Sequence, residues 1–196
     1  MPSTKSRYHH GDLRAALLHA AVEVLRERGV AGLSLRECAR RAGVSHAAPY
    51  RHFSNKDALM VAIAAEGFRW LVAMGEKAMA DLTDTRERLD AYGVAYVRFA
   101  ILHPEHHRLM FASELDSSAA TPEDLADADA AFELLQRLAG DVAGPEEDSL
   151  LAAVAFWSLV HGLSMLILDG RIPPEHIADE AQVDALTRAT FAQWRS

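Results

Sequence analysis

The sequence predicts an all-helical protein. Apolar residues recur at helical spacing along the whole chain, and no stretch of useful length alternates apolar and polar residues as a strand does. Glycine and proline interrupt the helical pattern at several points, so we expect a series of helices joined by turns. Half of the 196 residues are hydrophobic and 24% are charged, a composition that argues against disorder and allows a sizeable core.

The first third of the chain predicts three short helices. The first covers about 12–28 and ends at the glycines that follow it. Ser34 offers a hydroxyl N-cap and Glu37 follows three residues later, so this capping box starts a second helix. Residues 42–44 form a turn, and Ser45 is predicted to cap the third helix.

Pro49 is unusual within that third helix. It lies at about the fourth helical position, where its missing N–H removes at most the first intrahelical hydrogen bond, so a short helix is still expected. Residues 34–53 therefore form two short predicted helices around a tight turn, with basic and aromatic side chains on the second. In proteins that bind DNA, a second helix of this kind lies in the major groove.

The rest of the chain predicts six further helices, all with apolar residues at helical spacing. Their limits are about 56–80, 86–103, 105–112, 125–139, 146–169 and 183–194. The segment 113–122 is a turn-rich loop. We find no internal repeat and no low-complexity segment.

The most apolar segment, 150–168, has nineteen residues without a formal charge. That length is close to the ~20 residues that span a bilayer. Acidic residues flank both ends and His161 lies in the middle, so burial within protein is favoured over spanning. The small residues Ala155, Ser158 and Gly162 fall on one face, and a second copy of the chain would cover that face.

Positive charge is concentrated at the N-terminal end. Residues 1–60 hold ten Lys/Arg and five Asp/Glu, a net charge of +5, whereas the remainder holds ten Lys/Arg and 23 Asp/Glu, a net charge of −13. Any surface that binds nucleic acid is therefore expected in the N-terminal part. Residues 1–11 are predicted to form a flexible basic arm without a signal peptide. The single cysteine, Cys38, excludes an intrachain disulfide and fits a reducing cytoplasm.

Several side chains of the 34–53 motif have chemistry suited to DNA. Arg51 can donate two hydrogen bonds to N7 and O6 of guanine, His46 can donate to or accept from a base edge, and Ala47 is small enough to touch a thymine methyl group. Five others are better suited to phosphate, which fixes the register on DNA without reading its sequence. These five are Ser34, Ser45, Tyr50, His52 and Lys56.

Residues 12–60 resemble the DNA-binding domain of the TetR family of transcriptional regulators. The resemblance rests on Asp-Leu-Arg-Ala-Ala-Leu-Leu at the start, Leu-Arg-Glu-Cys-Ala-Arg-Arg-Ala-Gly-Val-Ser in the motif and Tyr-Arg-His-Phe-Ser-Asn-Lys-Asp-Ala-Leu after it. It implies a homodimer on operator DNA, expected to be palindromic, and repression that ends when a small-molecule effector binds. By motif position, it also implies base contacts at His46, Ala47 and Arg51.

The chain departs from the family's usual pattern at two positions. Ala48 stands where a threonine often reaches phosphate, and Pro49 stands where leucine or another apolar residue is usual, so no operator preference is transferred. In the C-terminal part, Trp157-Ser-Leu-Val-His161-Gly162 resembles the signature of a Trp–His–Gly subgroup of the same family.

The resemblance further implies that the last two helices form a four-helix dimer interface and that the middle helices enclose a ligand pocket. The predicted interface residues are Ala155, Ser158, Gly162, Phe191 and Trp194. The pocket is expected to be mostly apolar with a few polar side chains. Its candidate residues are Tyr92, Tyr96, Phe99, Met110, Phe132, Leu135, Trp157, His161 and Met165.

Three histidines near one another in sequence suggest a metal site. Pro104 separates His103 from the others, and the neighbours His106 and His107 point about 100° apart on a helix. No third ligand is evident, so we predict surface histidines and no metal site. The sequence has no glycine-rich phosphate loop, nucleophile elbow or CxxC pair, so we predict neither an enzyme nor a cofactor.

The sequence therefore predicts a cytoplasmic, dimeric, ligand-responsive regulator of transcription, a repressor rather than an activator. We expect a helix-turn-helix DNA-binding domain at 12–60, linked by a long helix to a ligand-binding and dimerisation domain at 61–196. The alternatives that stay open are an activator of the same family, a helical adaptor that keeps the motif as a scaffold, and a membrane-associated sensor that uses 150–168.

Overall fold

A computed structural model describes residues 13–113 and 115–195, and within them the chain forms helices and no strand. The α-helices are α1 (Leu13–Gly32), α2 (Leu35–Arg41), α3 (Lys56–Met79), α4 (Thr85–Leu102), α5 (Pro104–Met110), α6 (Pro122–Ala143), α7 (Ser149–Leu168) and α8 (Glu180–Arg195). Short 3-10 helices lie at Pro49–Arg51, Ser117–Ala119 and Pro174–His176. The all-helical fold class is confirmed, while the predicted arm at 1–11 lies outside the described residues.

The first two helices begin and end close to their predicted limits. Helix α1 loses its helical conformation at Gly29, which has a φ of 63° and a ψ of −171°, and one more turn follows. The Ser34 hydroxyl accepts a hydrogen bond from the Glu37 backbone N–H at 3.2 Å and so caps α2. Gly43, with a φ of 68°, provides the tight turn after α2, where a left-handed backbone favours glycine.

The prediction of an α-helix after Ser45 is wrong. Residues 46–48 form a turn and a bend, and only Pro49–Arg51 is helical, as a 3-10 helix. The Ala48 N–H donates to the Ser45 carbonyl at 3.0 Å, three residues back, and no side chain caps the helix. Pro49 explains the difference because it has no N–H to donate to the carbonyl four residues earlier.

Helix α3 links the two parts of the molecule. Its N-cap is Asn55, whose side-chain oxygen accepts a hydrogen bond from the Ala58 N–H at 2.8 Å. Every residue from 59 to 65 is buried, and the helix packs against α1, α4, α5 and α6. The predicted domain boundary after residue 60 therefore falls inside one continuous helix.

Helix α4 occupies the centre of the C-terminal part and packs against α3, α5, α6, α7 and α8. It lies close to both α7 and α8 at Gly93, where a Cβ would lie 2.5 Å from the Phe191 ring and 2.7 Å from the Phe156 ring. Glycine at this position lets both aromatic rings reach the backbone of α4. Phe156 and Phe191 are among the largest fully buried side chains of the described residues.

Helix α7 is buried on one face and exposed on the other. Its buried side chains are Ala153, Phe156, Val160, Leu163, Ser164 and Ile167. Its large exposed hydrophobic side chains are Leu150, Leu151, Val154 and Leu166. By length and composition α3 and α7 could each cross a membrane, yet both pack against other helices of the bundle. Within the described residues, the chain covers only one face of α7 and leaves an apolar face open.

Candidate DNA interface and ligand cavity

An ion-pair network holds α2 against the end of α1. The Glu37 carboxylate accepts hydrogen bonds from Arg40 at 2.7 and 2.8 Å and from Arg41 at 3.1 Å. These hydrogen bonds, first from Arg40 and then from Arg41, lower the pKa of Glu37 to about 2. Arg41 also pairs with Glu27 of α1. Both arginines are therefore partnered within the scaffold, and fewer cations remain free for phosphate than the sequence alone suggests.

The predicted base-reading residues lie on the turn after α2. We call residues 46–52 the reading turn. His46, Ala47 and Arg51 are exposed, and within the described chain the side chains of His46 and Arg51 make no hydrogen bond and no ion pair. Pro49, which lies between them in sequence, is fully buried and fixes the backbone of the turn in the core. The donors of His46 and Arg51 are thus free to meet base edges.

The predicted phosphate contacts fall into an exposed group and a partnered group. The exposed group is Ser45, Tyr50 and His52. Ser34 caps α2, and the Lys56 Nζ donates to the Val30 carbonyl at 2.5 Å. An ammonium group has three N–H donors, so Lys56 keeps two of them for a phosphate at the start of α3.

Arg14 of α1 contacts both the end of the reading turn and the C-terminal part of the molecule. Its guanidinium lies 5.6 Å from the centroid of the Phe53 ring, which is buried directly after the reading turn. One Nη of Arg14 lies 4.0 Å from a carboxylate oxygen of Asp124, near the start of α6. Asp124 also forms the capping box of α6 with Thr121. Arg14 therefore joins the DNA-reading region to α6.

An apolar cavity of about 250 Å³ lies among α3, α4, α6 and α7, beside the end of α5. Its wall consists of Phe68, Leu71, Tyr92, Tyr96, Met110, Phe111, Ala128, Ala131, Phe132, Leu135 and Trp157. The sequence predicts six of these residues, namely Tyr92, Tyr96, Met110, Phe132, Leu135 and Trp157. No Asp, Glu, Lys or Arg belongs to this wall among the residues that the structure describes.

Three residues predicted for the pocket do not line the cavity. Phe99 is fully buried, and its ring centroid lies 5.3 Å from that of His103. Met165 lies further along α7, away from the wall. His161 lies behind the wall, where its Nδ1 is 2.9 Å from the Tyr96 hydroxyl.

Sequence reasoning missed five wall residues. They are Phe68, Leu71, Phe111, Ala128 and Ala131. Phe68 and Leu71 carry a signal in the sequence, because they are three residues apart and so share a face of α3. Ala128 carries one too, since it precedes a predicted wall residue by four positions. Phe111 could not be predicted from a periodic pattern because it follows the last residue of α5. The direction of its side chain depends on how that helix packs.

The prediction that His106 and His107 are surface histidines is wrong. His106 is 3% exposed, with its Nε2 3.1 Å from a Glu66 oxygen, and His107 is fully buried, with its ring stacked on that of His161. Both lie inward because the seven-residue helix α5 packs against both α3 and α4. Burial lowers the pKa of His107 to about 4. Within the described ranges, no group of three or more His, Cys, Asp or Glu could hold a metal ion.

The residues predicted for the dimer interface divide between surface and core. Ala155 and Ser158 are exposed on the outer face of α7, and Gly162 is partly exposed. Phe191 is 1% exposed and packs against a phenylalanine of α7, so it belongs to the core of its own protomer rather than to an interface. The side chain of Trp194 lies outside the described residues. Helix α8 also exposes a set of alanines, which are Ala181, Ala185, Ala189 and Ala192.

Two family models match the two parts of the chain. Residues 17–63 match the model described as bacterial regulatory proteins, tetR family. Residues 89–190, slightly more than half of the chain, match the tetracyclin repressor-like C-terminal domain. Neither description names a Trp–His–Gly subgroup, so the subgroup stays a prediction.

Individual proteins and a solved structure are also similar to this chain. The transcriptional activator FasR of Mycolicibacterium smegmatis is 32% identical over 140 residues, which cover 69% of this chain and 64% of FasR. The nicotine-responsive transcriptional repressor HdnoR of Paenarthrobacter nicotinovorans is 48% identical over 61 residues, which cover 31% of each protein. The chain thus spans less than two thirds of the length of these curated relatives.

One of the similar solved structures is that of a protein with unknown function from Rhodococcus sp. RHA1. It is 34% identical, with a TM-score of 0.76, and the match covers 96% of this chain and 98% of that one. The likeness thus extends over nearly all of both chains, including the helices around the cavity. The reading turn, the helical C-terminal part and the two family models lead to one conclusion: the chain belongs to the TetR family of bacterial regulatory proteins.

Proposed function

We propose that this TetR-family protein is a homodimeric, cytoplasmic regulator of transcription that binds a specific operator and responds to a small molecule. The observation that carries the proposal is the exposed reading turn, on which His46 and Arg51 have no partner in the described chain and Pro49 is buried between them. The buried proline fixes the backbone while the neighbouring side chains face outward. Such a surface has the donors that read base edges in the major groove.

The chemistry of the side chains indicates which residues would contact bases and which would contact phosphates. Arg51 would donate two hydrogen bonds to a guanine, and His46 would meet a neighbouring base edge. Lys56, at the start of α3, would hold a phosphate with its two remaining N–H donors and with the positive end of that helix. Arg40 would contribute less than its charge suggests, because Glu37 already accepts its hydrogen bonds.

A second copy of the chain would cover the open face of α7. Leu151 is 67% exposed and Val154 is 41% exposed, and the small residues Ala155 and Ser158 follow on the same face. The exposed alanines of α8 provide another surface on which helices can approach closely. Two helices from each protomer would form a four-helix interface, and the dimer would present two reading turns to half-sites about 34–36 Å apart.

The cavity gives a route from ligand to DNA. Ligand that enters it would press on α6, which contributes Ala131 and Phe132 to the wall. Helix α6 contacts Arg14 through Asp124, and Arg14 contacts Phe53 at the end of the reading turn. A shift of α6 would therefore change the separation of the two reading turns and lower operator affinity.

Release from DNA on ligand binding is the behaviour of a repressor, and we propose a repressor for this reason. The names of the two relatives include both directions of control, since FasR is named an activator and HdnoR a repressor. An activator would use the same contacts, but its ligand would bring the reading turns to the operator spacing.

Binding to the DNA that flanks the protein's own coding region tests the proposal. In fluorescence anisotropy we expect the full chain to bind a duplex from that region, with an affinity that falls steeply between about 50 and 200 mM salt. A scrambled duplex of the same length should bind about 10³-fold more weakly. Equal binding of the two duplexes would contradict the proposal. Absence of any DNA binding would favour the helical adaptor instead.

A further inference from the structure

The cavity wall combines apolar side chains with a few polar ones. Its polar lining residues are Tyr92, Tyr96 and Trp157. The Trp157 indole N–H donates to the Tyr96 hydroxyl oxygen at 3.3 Å, and that oxygen lies 2.9 Å from the His161 Nδ1. Behind Tyr96, the ring of His107 stacks on that of His161 with centroids 5.2 Å apart. We call Tyr96, His107, Trp157 and His161 the polar cluster.

The hydrogen bonds of the polar cluster determine where its protons lie. An indole N–H only donates, so the Tyr96 oxygen accepts from Trp157, and we assign the Tyr96 O–H as the donor to the His161 Nδ1. One lone pair of the Tyr96 oxygen then remains open. The hydroxyl of Tyr92 has no hydrogen-bond partner among the described residues, although this residue is only 2% exposed.

His107 leaves further hydrogen-bonding capacity beside the cavity. Its ring is fully buried, and neither Nδ1 nor Nε2 has a hydrogen-bond partner among the residues that the structure describes. Its ring centroid lies 5.7 Å from that of Tyr96 and 5.3 Å from that of Phe111, and both of these residues belong to the wall. Buried polar atoms normally have partners. The polar cluster therefore has more donors and acceptors than it satisfies within the protomer.

The polar side chains around the cavity can form hydrogen bonds but carry no charge. Burial lowers the pKa of His107 and of His161, so both rings are neutral at neutral pH. Arg108, the next residue after His107, is paired with Glu105 at 3.2 Å. A carboxylate or phosphate that entered the cavity would lose its hydration without gaining a cation. An uncharged molecule avoids that penalty.

The volume and the wall restrict the size and shape of an occupant. The cavity, about 250 Å³, is larger than the roughly 150 Å³ cavity that holds benzene and smaller than the roughly 300–1,000 Å³ of sites for drug-sized ligands. Phe68, Phe111, Phe132 and Trp157 surround it with aromatic rings. Aromatic walls favour an aromatic occupant through edge-to-face and offset stacking. A single ring with a short substituent fits both limits.

We propose that the effector is an uncharged molecule with one aromatic ring and one hydroxyl group, a substituted phenol in chemical class. Its hydroxyl donates to the open lone pair of Tyr96 and accepts from the Tyr92 O–H. His161 acts as a positioning residue, because it holds the Tyr96 proton away from the ligand. This inference rests on the proposed function, in which the cavity holds the effector.

Calorimetry on the full chain with three probes that share an ethyl-substituted benzene ring tests the proposal. At about pH 7, 4-ethylphenol is uncharged and carries a hydroxyl, 4-ethylbenzoate is an anion, and ethylbenzene has no polar group. We expect 4-ethylphenol to bind at least about tenfold more tightly than either of the others. Tighter binding of the benzoate, equal binding of all three or no binding of 4-ethylphenol would overturn the proposal.

Variants of the wall sharpen the test. Tyr96→Phe keeps the ring and removes only the oxygen, so we expect about tenfold weaker binding of 4-ethylphenol and an unchanged response to ethylbenzene. Tyr92→Phe provides a second variant with the same expectation. His161→Leu should also weaken 4-ethylphenol, whereas His176→Leu, at an exposed histidine outside the wall, should not. Thermal unfolding reports whether each variant is folded, and unchanged affinity in a folded Tyr96→Phe protein would overturn the proposal.

Operator binding measured on the same preparations separates this inference from the proposed function. If the flanking duplex binds specifically while 4-ethylphenol does not bind, only the effector class is overturned. If the flanking and scrambled duplexes bind equally, the proposed function fails whatever the calorimetry gives.

Discussion

The polar side chains of the reading turn and those of the cavity differ in their exposure and in their hydrogen bonding. At the reading turn, His46 and Arg51 are exposed and have no partner in the described chain. In the cavity wall, Trp157 donates to Tyr96, whose hydroxyl is hydrogen-bonded to His161. Exposed groups stay hydrated until DNA replaces the water, whereas buried groups need partners in the protein or in a bound ligand. Affinity at the first site therefore depends on charge and salt, and affinity at the second depends on hydrogen-bond match and shape.

The two sites also differ in how much of the assembly they need. One protomer supplies every wall residue of the cavity. Under the proposed function, operator recognition needs two reading turns at a fixed spacing. A second copy of the chain, packed on the outer face of α7, would supply the second reading turn. Changes on that face should therefore affect DNA binding and leave the cavity intact.

The largest expected effect comes from a charge on the outer face of α7. Ala155→Arg places a cation where a second protomer would pack, so we expect a monomer and a loss of operator affinity of about 100-fold or more. Light scattering and fluorescence anisotropy measure the two effects. The matched control is Ala130→Arg, which places the same charge on an exposed position of α6. A dimeric Ala155→Arg protein would contradict the proposed interface.

The second effect concerns base reading. Arg51→Ala removes a bidentate donor, so we expect operator affinity to fall by about 10–100-fold and discrimination at one base pair to disappear. Non-specific DNA should bind nearly as well as before. Anisotropy against duplexes with single base changes measures this, with Arg171→Ala at an exposed C-terminal position as the control. If Arg51→Ala lost affinity equally for all sequences, Arg51 would be a phosphate contact.

The reading turn was more accessible to sequence reasoning than the cavity, for a physical reason. The caps and turns around it involve residues close in sequence, such as the Ser34 hydroxyl with the Glu37 N–H. In this region, sequence reasoning failed only on the type of the third helix. Around Pro49, the backbone N–H groups of Ala48, Arg51 and His52 each donate to the carbonyl three residues earlier, as in a 3-10 helix. This pattern also lies within a few residues, so a stricter count of backbone donors would have found it.

The cavity depends on contacts between residues far apart in sequence. Tyr92 and Tyr96 follow from the helical stripe of α4, but Phe111 and His107 face inward only because α5 packs against α3 and α4. The same limit explains Phe191, whose direction is set by its contact with the α4 backbone at Gly93. Periodicity identifies the apolar face of a helix, and it does not say whether the same chain or a second copy covers that face.

A smaller, uniform effect is expected at the proposed phosphate site of Lys56. Lys56→Ala should weaken operator and scrambled DNA alike by several-fold, and the slope of log affinity against log salt should fall by about 0.9 for each phosphate that the protein no longer neutralises. Salt titrations on both duplexes measure it. Lys77→Ala, at an exposed lysine near the other end of α3, is the control and should leave the slope unchanged. A change confined to the operator duplex would assign Lys56 to base reading.

The smallest expected effect is on the pH dependence of stability. It compares a buried histidine beside the cavity with an exposed histidine of the reading turn. Burial lowers the pKa of His107 from 6.5 to about 4, so the unfolded chain binds a proton at higher pH than the folded chain does. The stability gained from the neutral ring is complete above pH 6.5 and is lost as the pH falls toward 4. His107→Leu removes this contribution, so its unfolding temperature should fall less on acidification than that of the natural protein, by about 2–4 °C.

The matched control for the pH effect is His46→Ala. His46 is exposed on the reading turn, so this variant removes an imidazole without opening a buried site. Unfolding curves at several pH values between about 7 and 4 measure both variants. If the two variants behaved alike, burial of the His107 ring would not govern its protonation. The contrast between the buried site and the exposed reading turn would then fail at this residue.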